Sequence, residues 1–183
     1  MDKRIYLCLA HMSGKEQDFT YGDCKKEMDM VNKAFIEIMT EGDADGRGFQ
    51  YPIPTYSITK DFDGKTLDHL LTLPEDIKFI TEDGNGVMNN ATMARVFAVA
   101  AERGLTVMSH AEDREISPWD YRLAENIETV RNCHLAEYYG TRLHMCHVST
   151  KESVDMVRQS RRRGAMVSCE VTPHHLWFDD SRL

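Results

Sequence analysis

The chain has 183 residues, of which 42% are hydrophobic and 28% are charged, and its formal net charge is -8. This composition is typical of a globular protein with one domain or one domain plus an extension. The acidic excess argues against a nucleic-acid partner or an anionic membrane surface. No apolar run approaches the roughly 20 residues that span a membrane, so we expect a cytoplasmic protein. The five cysteines are widely spaced and include no C-x-x-C, which indicates neither a disulfide framework nor a cysteine zinc site.

The first 63 residues predict an α+β segment without a regular alternation of elements. Residues 5–9 have the pattern of a short strand. Residues 23–39 predict a helix whose apolar side chains recur every three or four positions and so share one face. Residues 49–64, "FQYPIPTYSITKDFDG", contain two prolines, which favours a loop or an edge strand over a central strand.

From about residue 76 the chain alternates strands with helices. The stretches "IKFIT", "LTVMSH", "RLHMCH" and "AMVSCEV" predict strands, and residues 90–104, 120–139 and 149–163 predict helices. The last helix is expected to open with a Ser149-x-x-Glu152 capping box and to close at Gly164. The middle helix is expected to bury its apolar residues, which are Leu123, Ile127 and Val130. Short connections between alternating elements indicate a parallel sheet, either doubly wound or part of a (β/α) barrel.

Ionisable side chains follow the predicted strands at intervals of about one βα unit. Asp83 follows the first of these strands, His110 ends the second, His147 ends the third, and His174 and His175 follow the fourth. Parallel strands deliver their carboxyl ends to one face, which is where α/β proteins hold their sites. A single strand-end histidine is more often a structural residue, but three in register with a carboxylate favour a site. Neutral imidazoles with a carboxylate suit zinc.

The remaining histidines are interpreted differently. His144 lies on the opposite strand parity from the neighbours of His147, so we do not expect it in the same cluster. We expect His134, within a predicted helix, and His69 to lie on the surface.

Four motifs occur in the order in which they occur in dihydroorotase, a zinc amidohydrolase with a (β/α)₈ barrel. They are "FITEDGNGVM", "TVMSHAED", "LHMCHVSTKES" and "CEVTPHH". The resemblance begins near Gly64 or Leu67 and extends to residue 183. It implies an α/β fold, specifically a partial (β/α) barrel of about four βα units. Hydantoinases and allantoinases share this fold, but they place a carboxylated lysine where this chain has the acidic "TEDG".

The resemblance also implies a site and an activity. Asp83 resembles the carboxylate that bridges two metals and serves as the catalytic residue, and His110 and His147 resemble the two histidines of the second metal. Members of the family interconvert N-carbamoyl-aspartate and dihydroorotate in pyrimidine synthesis, so the implied substrate is a small cyclic amide. The implied cofactor is zinc, which lowers the pKa of water and polarises the ring carbonyl.

Two family features have no counterpart in this chain. The family carries a His-x-His pair on its first strand, and no such pair occurs in the 183 residues. The family also has a proton-shuttling aspartate on its last strand, and Asp179 and Asp180 do not match it by position. We therefore expect weak zinc binding and little or no turnover. We also expect self-association through open barrel edges, which in a second interpretation makes the chain a non-catalytic fragment.

Residues 19–63 resemble part of a second family, anaerobic ribonucleoside triphosphate reductase. The distinctive stretch is "YPIPTYSITKDFD". The radical glycine and catalytic cysteine motifs of that family are not recognisable, so its activity is not implied, and nucleotide binding is the third interpretation. The sequence thus predicts a composite chain with two domains, residues 1–63 from the reductase-like source and residues 64–183 from the dihydroorotase-like source.

Overall fold

A computed structural model describes residues 55–82, 86–172 and 175–176. The chain divides into two compact units, residues 1–55 and 56–183, and nearly all described residues belong to the second unit. The strand predicted at 5–9 and the helix predicted at 23–39 lie outside the described residues. The domain division predicted at residues 63 and 64 concerns the origin of the sequence and stays a prediction.

The described part alternates strands and helices as the sequence predicts. Two short 3-10 helices, Lys60–Phe62 and Asp68–Thr72, precede the regular alternation. The strands are β1 (Thr55–Ser57), β2 (Phe79–Thr81), β3 (Thr106–Ser109), β4 (Arg142–Met145) and β5 (Val167–Cys169), and the helices are α1 (Asn90–Arg103), α2 (Tyr121–Tyr139) and α3 (Lys151–Arg162).

The five strands form one sheet in the order β1-β2-β3-β4-β5. The pairs β2–β3, β3–β4 and β4–β5 are parallel, which confirms the predicted α/β fold. β1 lies at the edge of the sheet, as the prolines at 52 and 54 just before it predict. Because the strand order follows the chain and such crossovers are right-handed, the three helices lie on one side of the sheet.

One face of the sheet carries a continuous apolar row. Ile80 pairs with Val107, Val107 with Leu143, and Leu143 with Val167, and none of the four side chains is more than 4% exposed. Full burial of such an aliphatic side chain stabilises a fold by about 1.5–3 kcal/mol. This row therefore fixes which face the helices cover. Strand residues of the other parity, such as His144, point to the opposite face.

Helix α1 begins and ends as the sequence predicts. The side chain of Asn89 accepts a hydrogen bond from the Thr92 amide, and Gly104 ends the helix with φ 65°. Its buried residues, which are Met93, Val96, Phe97 and Ala100, recur every three or four positions and share one face.

The predicted cap of helix α3 is wrong by one residue. Thr150 is the N-cap, and its hydroxyl accepts a hydrogen bond from the amide of Ser153. Ser149 instead turns to helix α2, where its amide and hydroxyl both donate to Glu125. The partner in the neighbouring helix therefore outcompetes the local capping box.

The predicted apolar face of helix α2 is also wrong. Ile127 is 47% exposed and Val130 is 45% exposed. The inward face is made of small and polar side chains, which are Ala124, Glu128, Thr129, Asn132, Cys133 and Ala136. Small residues let α2 approach the sheet and α3 closely, and the buried polar groups find partners described below.

Among the described residues, no helix is long and apolar enough to cross a membrane.

Candidate metal site at the strand ends

His110 and His147 come together at the carboxyl ends of β3 and β4. Nδ1 of His110 and Nε2 of His147 lie 2.8 Å apart and share a hydrogen bond. The rings meet edge to face, with centroids 4.7 Å apart and an interplanar angle of 66°. The structure thus brings two of the predicted site residues together, although they are 37 residues apart in the chain.

The backbone around His147 explains how its ring reaches this position. The amide of Cys146 donates to Ser109 O at 2.9 Å, and the amide of Val148 donates to Glu170 O at 2.9 Å. His147 lies between these two anchors with φ 36°. Positive φ is uncommon for a residue with a β-carbon and tends to cluster at functional sites. The strand therefore ends in a tight turn that directs His147 toward His110.

The loop after His147 is held by a carboxylate of helix α2. Glu125 accepts hydrogen bonds from the Ser149 amide at 3.1 Å, the Thr150 amide at 3.1 Å and the Thr150 hydroxyl at 2.9 Å. It also accepts one from the Ser149 hydroxyl. Burial alone would raise the pKa of Glu125, but the hydrogen bonds from Ser149, Ser153 and Thr150 lower it below its ordinary value. Glu125 is therefore ionised and fixes the β4–α3 loop.

A buried polar layer lies beneath His110. Asn132 donates to the Ser109 hydroxyl at 2.8 Å, and Arg131 donates to Glu128 at 2.7 Å. The Glu128 side chain is 1% exposed. Burial raises the pKa of Glu128, and the Arg131 guanidinium opposes that shift. These groups line a small pocket together with His110, Ile58, Glu82, Gly86, Val87, Met93 and Met108.

Glu82 also lines this pocket. It is buried and accepts hydrogen bonds from the amide of Thr59, at 2.8 Å, and from the Thr59 hydroxyl. Burial raises the pKa of Glu82, while the bonds from Thr59 act in the other direction. The segment just after β1 is thereby fixed to the end of β2, one residue before Asp83.

The other predicted site residues are placed as follows. Asp83 and His174 lie outside the described residues, so their roles stay predictions. His175 is exposed, and its amide donates to the Thr172 carbonyl at 3.1 Å. His134 is exposed, as predicted. The prediction for His69 is wrong, because its ring is half-buried and donates from Nε2 to Ser57 O at 2.9 Å.

A second group of possible ligands was missed by the sequence interpretation. One ligand atom each from His144, Cys146 and Glu170 lies within 4.8 Å of the others. This group does not include His110 or His147. Strand parity could have joined His144 to Cys146, which share a face, but parity does not set the register that brings Glu170 beside them.

Comparison with known proteins gives two kinds of relative. A family model described as "Anaerobic ribonucleoside-triphosphate reductase" matches residues 5–172. Among curated proteins, the dihydroorotase of Clostridium botulinum (strain Eklund 17B / Type B) is 46% identical over 122 residues, covering 66% of this chain and 31% of that protein. The dihydroorotase of Brevibacillus brevis is 36% identical over 151 residues, covering 73% and 35%. The chain thus spans about a third of the length of these relatives.

Solved structures match the described fold. D-hydantoinase from Bacillus sp. AR9 matches with a TM-score of 0.62 and 21% identity, covering 82% of this chain and 38% of that one. Dihydropyrimidinase from Brevibacillus agri NCHU1002 matches with a TM-score of 0.60 and 20% identity, covering 81% and 37%. The sequential parallel sheet is therefore part of a (β/α) barrel with the fold of these structures.

The chain belongs to the anaerobic ribonucleoside-triphosphate reductase family by its match over residues 5–172, and it is at the same time a partial relative of dihydroorotase. The reductase match extends over the strands whose fold is similar to that of the D-hydantoinase structure. Two families in one chain agree with the composite origin that the sequence predicts.

Proposed function

We propose that residues 64–183 carry a dihydroorotase-like zinc site made by Asp83, His110 and His147. The proposed reaction is hydrolysis of a cyclic amide of the dihydroorotate type, with weak or no turnover by this chain alone. The observation that carries the proposal is the 2.8 Å approach of the two imidazole nitrogens. The dihydroorotase relatives support the substrate class, although each is matched over only part of its length.

The two histidines fit a divalent metal. Two nitrogens bound tetrahedrally at about 2.0–2.1 Å lie about 3.3–3.4 Å apart. The observed nitrogens are closer because a proton lies between them, and a metal would take the place of that proton with an opening of about half an ångström. His147 has its turn fixed by the backbone and by Glu125, so a small rotation of either ring is enough.

Each residue has a defined part in this proposal. His110 and His147 would hold the ion, and Asp83 would bind it as the catalytic carboxylate. Bound zinc would supply Lewis acidity toward water and toward the amide carbonyl. Glu82 and the polar layer at Glu128 and Asn132 would hold the strand ends in position. Since no His-x-His pair occurs in the sequence, we expect one of the two family metals to lack its ligands and turnover to be low.

Zinc content measured by elemental analysis tests the proposal. The variants are wild type, the double variant His110→Ala with His147→Ala, and His134→Ala as a matched control, since His134 is an exposed histidine of α2. We expect the double variant to lose one zinc per chain and the control to lose none. Equal zinc content in all three proteins would overturn the proposed site.

An assay of dihydroorotate hydrolysis tests the second half of the proposal. We expect wild type to show little turnover, and none after His110→Ala. Turnover close to that of a complete dihydroorotase, abolished by His110→Ala, would contradict the expectation of an incomplete enzyme while supporting the site.

The reductase match supports a second candidate function, the binding of a nucleotide. The match includes residues 19–63, most of which lie outside the described residues. Equilibrium binding of a labelled ribonucleoside triphosphate to the full chain tests this candidate. Binding that survives the His110→Ala, His147→Ala double variant would assign it to a different part of the chain.

Self-association is a proposal that the described surface supports. Three exposed apolar side chains flank β5, the last strand of the sheet: Met166, Val171 and Leu176, with exposures of 51%, 42% and 76%. A strand at a sheet edge also offers unpaired backbone groups to another chain. Size-exclusion chromatography with light scattering should show oligomers, and Met166→Lys should shift the population toward the monomer. A monomer at all concentrations would refute the proposal.

A further inference from the structure

A second set of metal-binding side chains lies on the sheet face opposite the helices. Nε2 of His144 is 3.3 Å from Oε2 of Glu170, and the thiol of Cys146 lies within 4.8 Å of both. His144 and Cys146 alternate along β4 and its extension, and Glu170 follows β5. The backbone bond from the Glu170 amide to Met145 O, at 3.1 Å, holds the two strand ends in register.

The ring of His144 is oriented as in metal-binding histidines. Its Nδ1 lies 2.9 Å from the Ser168 hydroxyl oxygen, and that hydroxyl is 3.5 Å from Leu143 O. The carbonyl can only accept, so the hydroxyl donates to it and accepts from Nδ1–H. Nε2 faces the Glu170 carboxylate and is the ring nitrogen that would ligate a metal placed between them. Metal-bound histidines are typically held in this way by a hydrogen bond from the other ring nitrogen.

The distances and the donor types select the kind of ion. Two ligands about 2.0–2.1 Å from a tetrahedral metal are about 3.3–3.4 Å apart, which matches the observed 3.3 Å between His144 and Glu170. A nitrogen, a thiolate sulfur and a carboxylate oxygen are the three donor types found in zinc sites. Thiolate and carboxylate together carry two negative charges, which a divalent ion neutralises.

We infer that His144, Cys146 and Glu170 form a second site for zinc or a similar divalent ion, separate from the His110–His147 pair. Binding displaces the proton of the Cys146 thiol to solvent and leaves one coordination position for water. Cys146 is 4% exposed whereas the Glu170 side chain is 51% exposed, so the ion enters from the side of Glu170.

Cobalt(II) titration of the metal-free full chain tests this inference. A thiolate bound to cobalt gives a charge-transfer absorption in the near ultraviolet, which a histidine–carboxylate site does not give. We expect this absorption in wild type, in Cys169→Ser and in the His110→Ala, His147→Ala double variant. We expect it to be lost in Cys146→Ser. Persistence in the double variant separates this site from the proposed function, which rests on the other pair.

Two variants at the exposed side of the site keep the test informative if the substitution of Cys146 prevents folding. Cys146 is buried, so Cys146→Ser is accompanied by Glu170→Gln and Ser168→Ala, which alter side chains nearer to solvent. Glu170→Gln should weaken cobalt binding at least tenfold, and Ser168→Ala about 10–100-fold, as is usual for an outer partner of a ligating histidine. Circular dichroism checks that each variant is folded. Absence of the absorption in wild type, or unchanged affinity in both variants, would overturn the inference.

Discussion

Replacing Glu125 by alanine tests how the loop that follows His147 is held. The carboxylate accepts hydrogen bonds from four donor groups, which are the amides and hydroxyls of Ser149 and Thr150. Glu125→Ala removes the acceptor of these donors, which lie in the loop after β4. We expect a less stable protein whose His147 is less well placed for metal.

The magnitude follows from the geometry. A hydrogen bond to a charged group contributes about 1.5–3 kcal/mol. The free energies of these hydrogen bonds do not add, because Glu125 is half-buried. In the variant, water can reach the loop donors and accept their hydrogen bonds. We therefore expect a loss equal to about one charged bond, about 2 kcal/mol, which is about a 30-fold change in the folding equilibrium.

The pH dependence has a definite sign. The pKa of Glu125 is lower in the folded protein than in the unfolded chain. Its stabilisation is therefore fully present above the unfolded value of about 4.3 and is lost as the pH falls through the folded pKa. Urea unfolding of wild type and Glu125→Ala at about pH 7 should show the difference, and at about pH 2 the two proteins should approach each other.

A matched control separates this effect from a general loss of charge. Glu102 is an exposed carboxylate on α1, and Glu102→Ala should change the free energy of unfolding by less than about 0.5 kcal/mol. If Glu125→Ala also stays within that range at neutral pH, the carboxylate does not hold the loop and the reasoning is refuted.

Two further substitutions probe the ends of the elements. Thr150→Ala removes the cap of α3 and should cost about 1–2 kcal/mol in urea unfolding, while Thr150→Ser should restore most of it; equal stability of the two variants would contradict the capping role. Gly86→Ala should lower the melting temperature, because a β-carbon there would lie 2.9 Å from Met88 Cε and 3.2 Å from Glu128 Oε2 at a φ of 55°. An unchanged melting temperature would show that the turn tolerates a side chain.

The order of elements could be predicted from the sequence because the local signals, which are helix caps and terminal glycines, agree with the tertiary packing. Gly104 and Gly140 follow α1 and α2 with φ of 65° and 67°, a conformation that glycine adopts at little cost. Asp120 caps α2 by accepting from the Leu123 amide. The alternation of these signals with aliphatic strands determines the parallel sheet.

The buried face of α2 could not be predicted from hydrophobic periodicity. Its inward positions include Glu128 and Asn132, which are stable there because Arg131 and Ser109 satisfy them. The periodicity of apolar residues carries no information about such hydrogen-bond partners. The same reason explains α3, where Ser149 bonds to Glu125 across 24 residues instead of capping its own helix.

The part of the candidate site that lies at the carboxyl ends of strands could be predicted from the sequence. Parallel strands bring His110 and His147 to one edge whatever their separation along the chain, and the structure places them in contact. The group formed by His144, Cys146 and Glu170 depends on the register between β4 and β5, which sequence parity alone does not fix. Asp83 stays a prediction.

The sequential order of the strands has a consequence for how the chain acquires its structure. Each described strand from β2 to β5 pairs with the next one along the chain, and the loop bonds of Glu125 span 24 or 25 residues. Contacts of short range form early, so β2 through β5 can assemble by successive addition as the chain leaves the ribosome, in the manner of a repeat protein. The slow step of folding is then the formation of the first βα unit. Each later strand pairs with the edge of a sheet that is already formed.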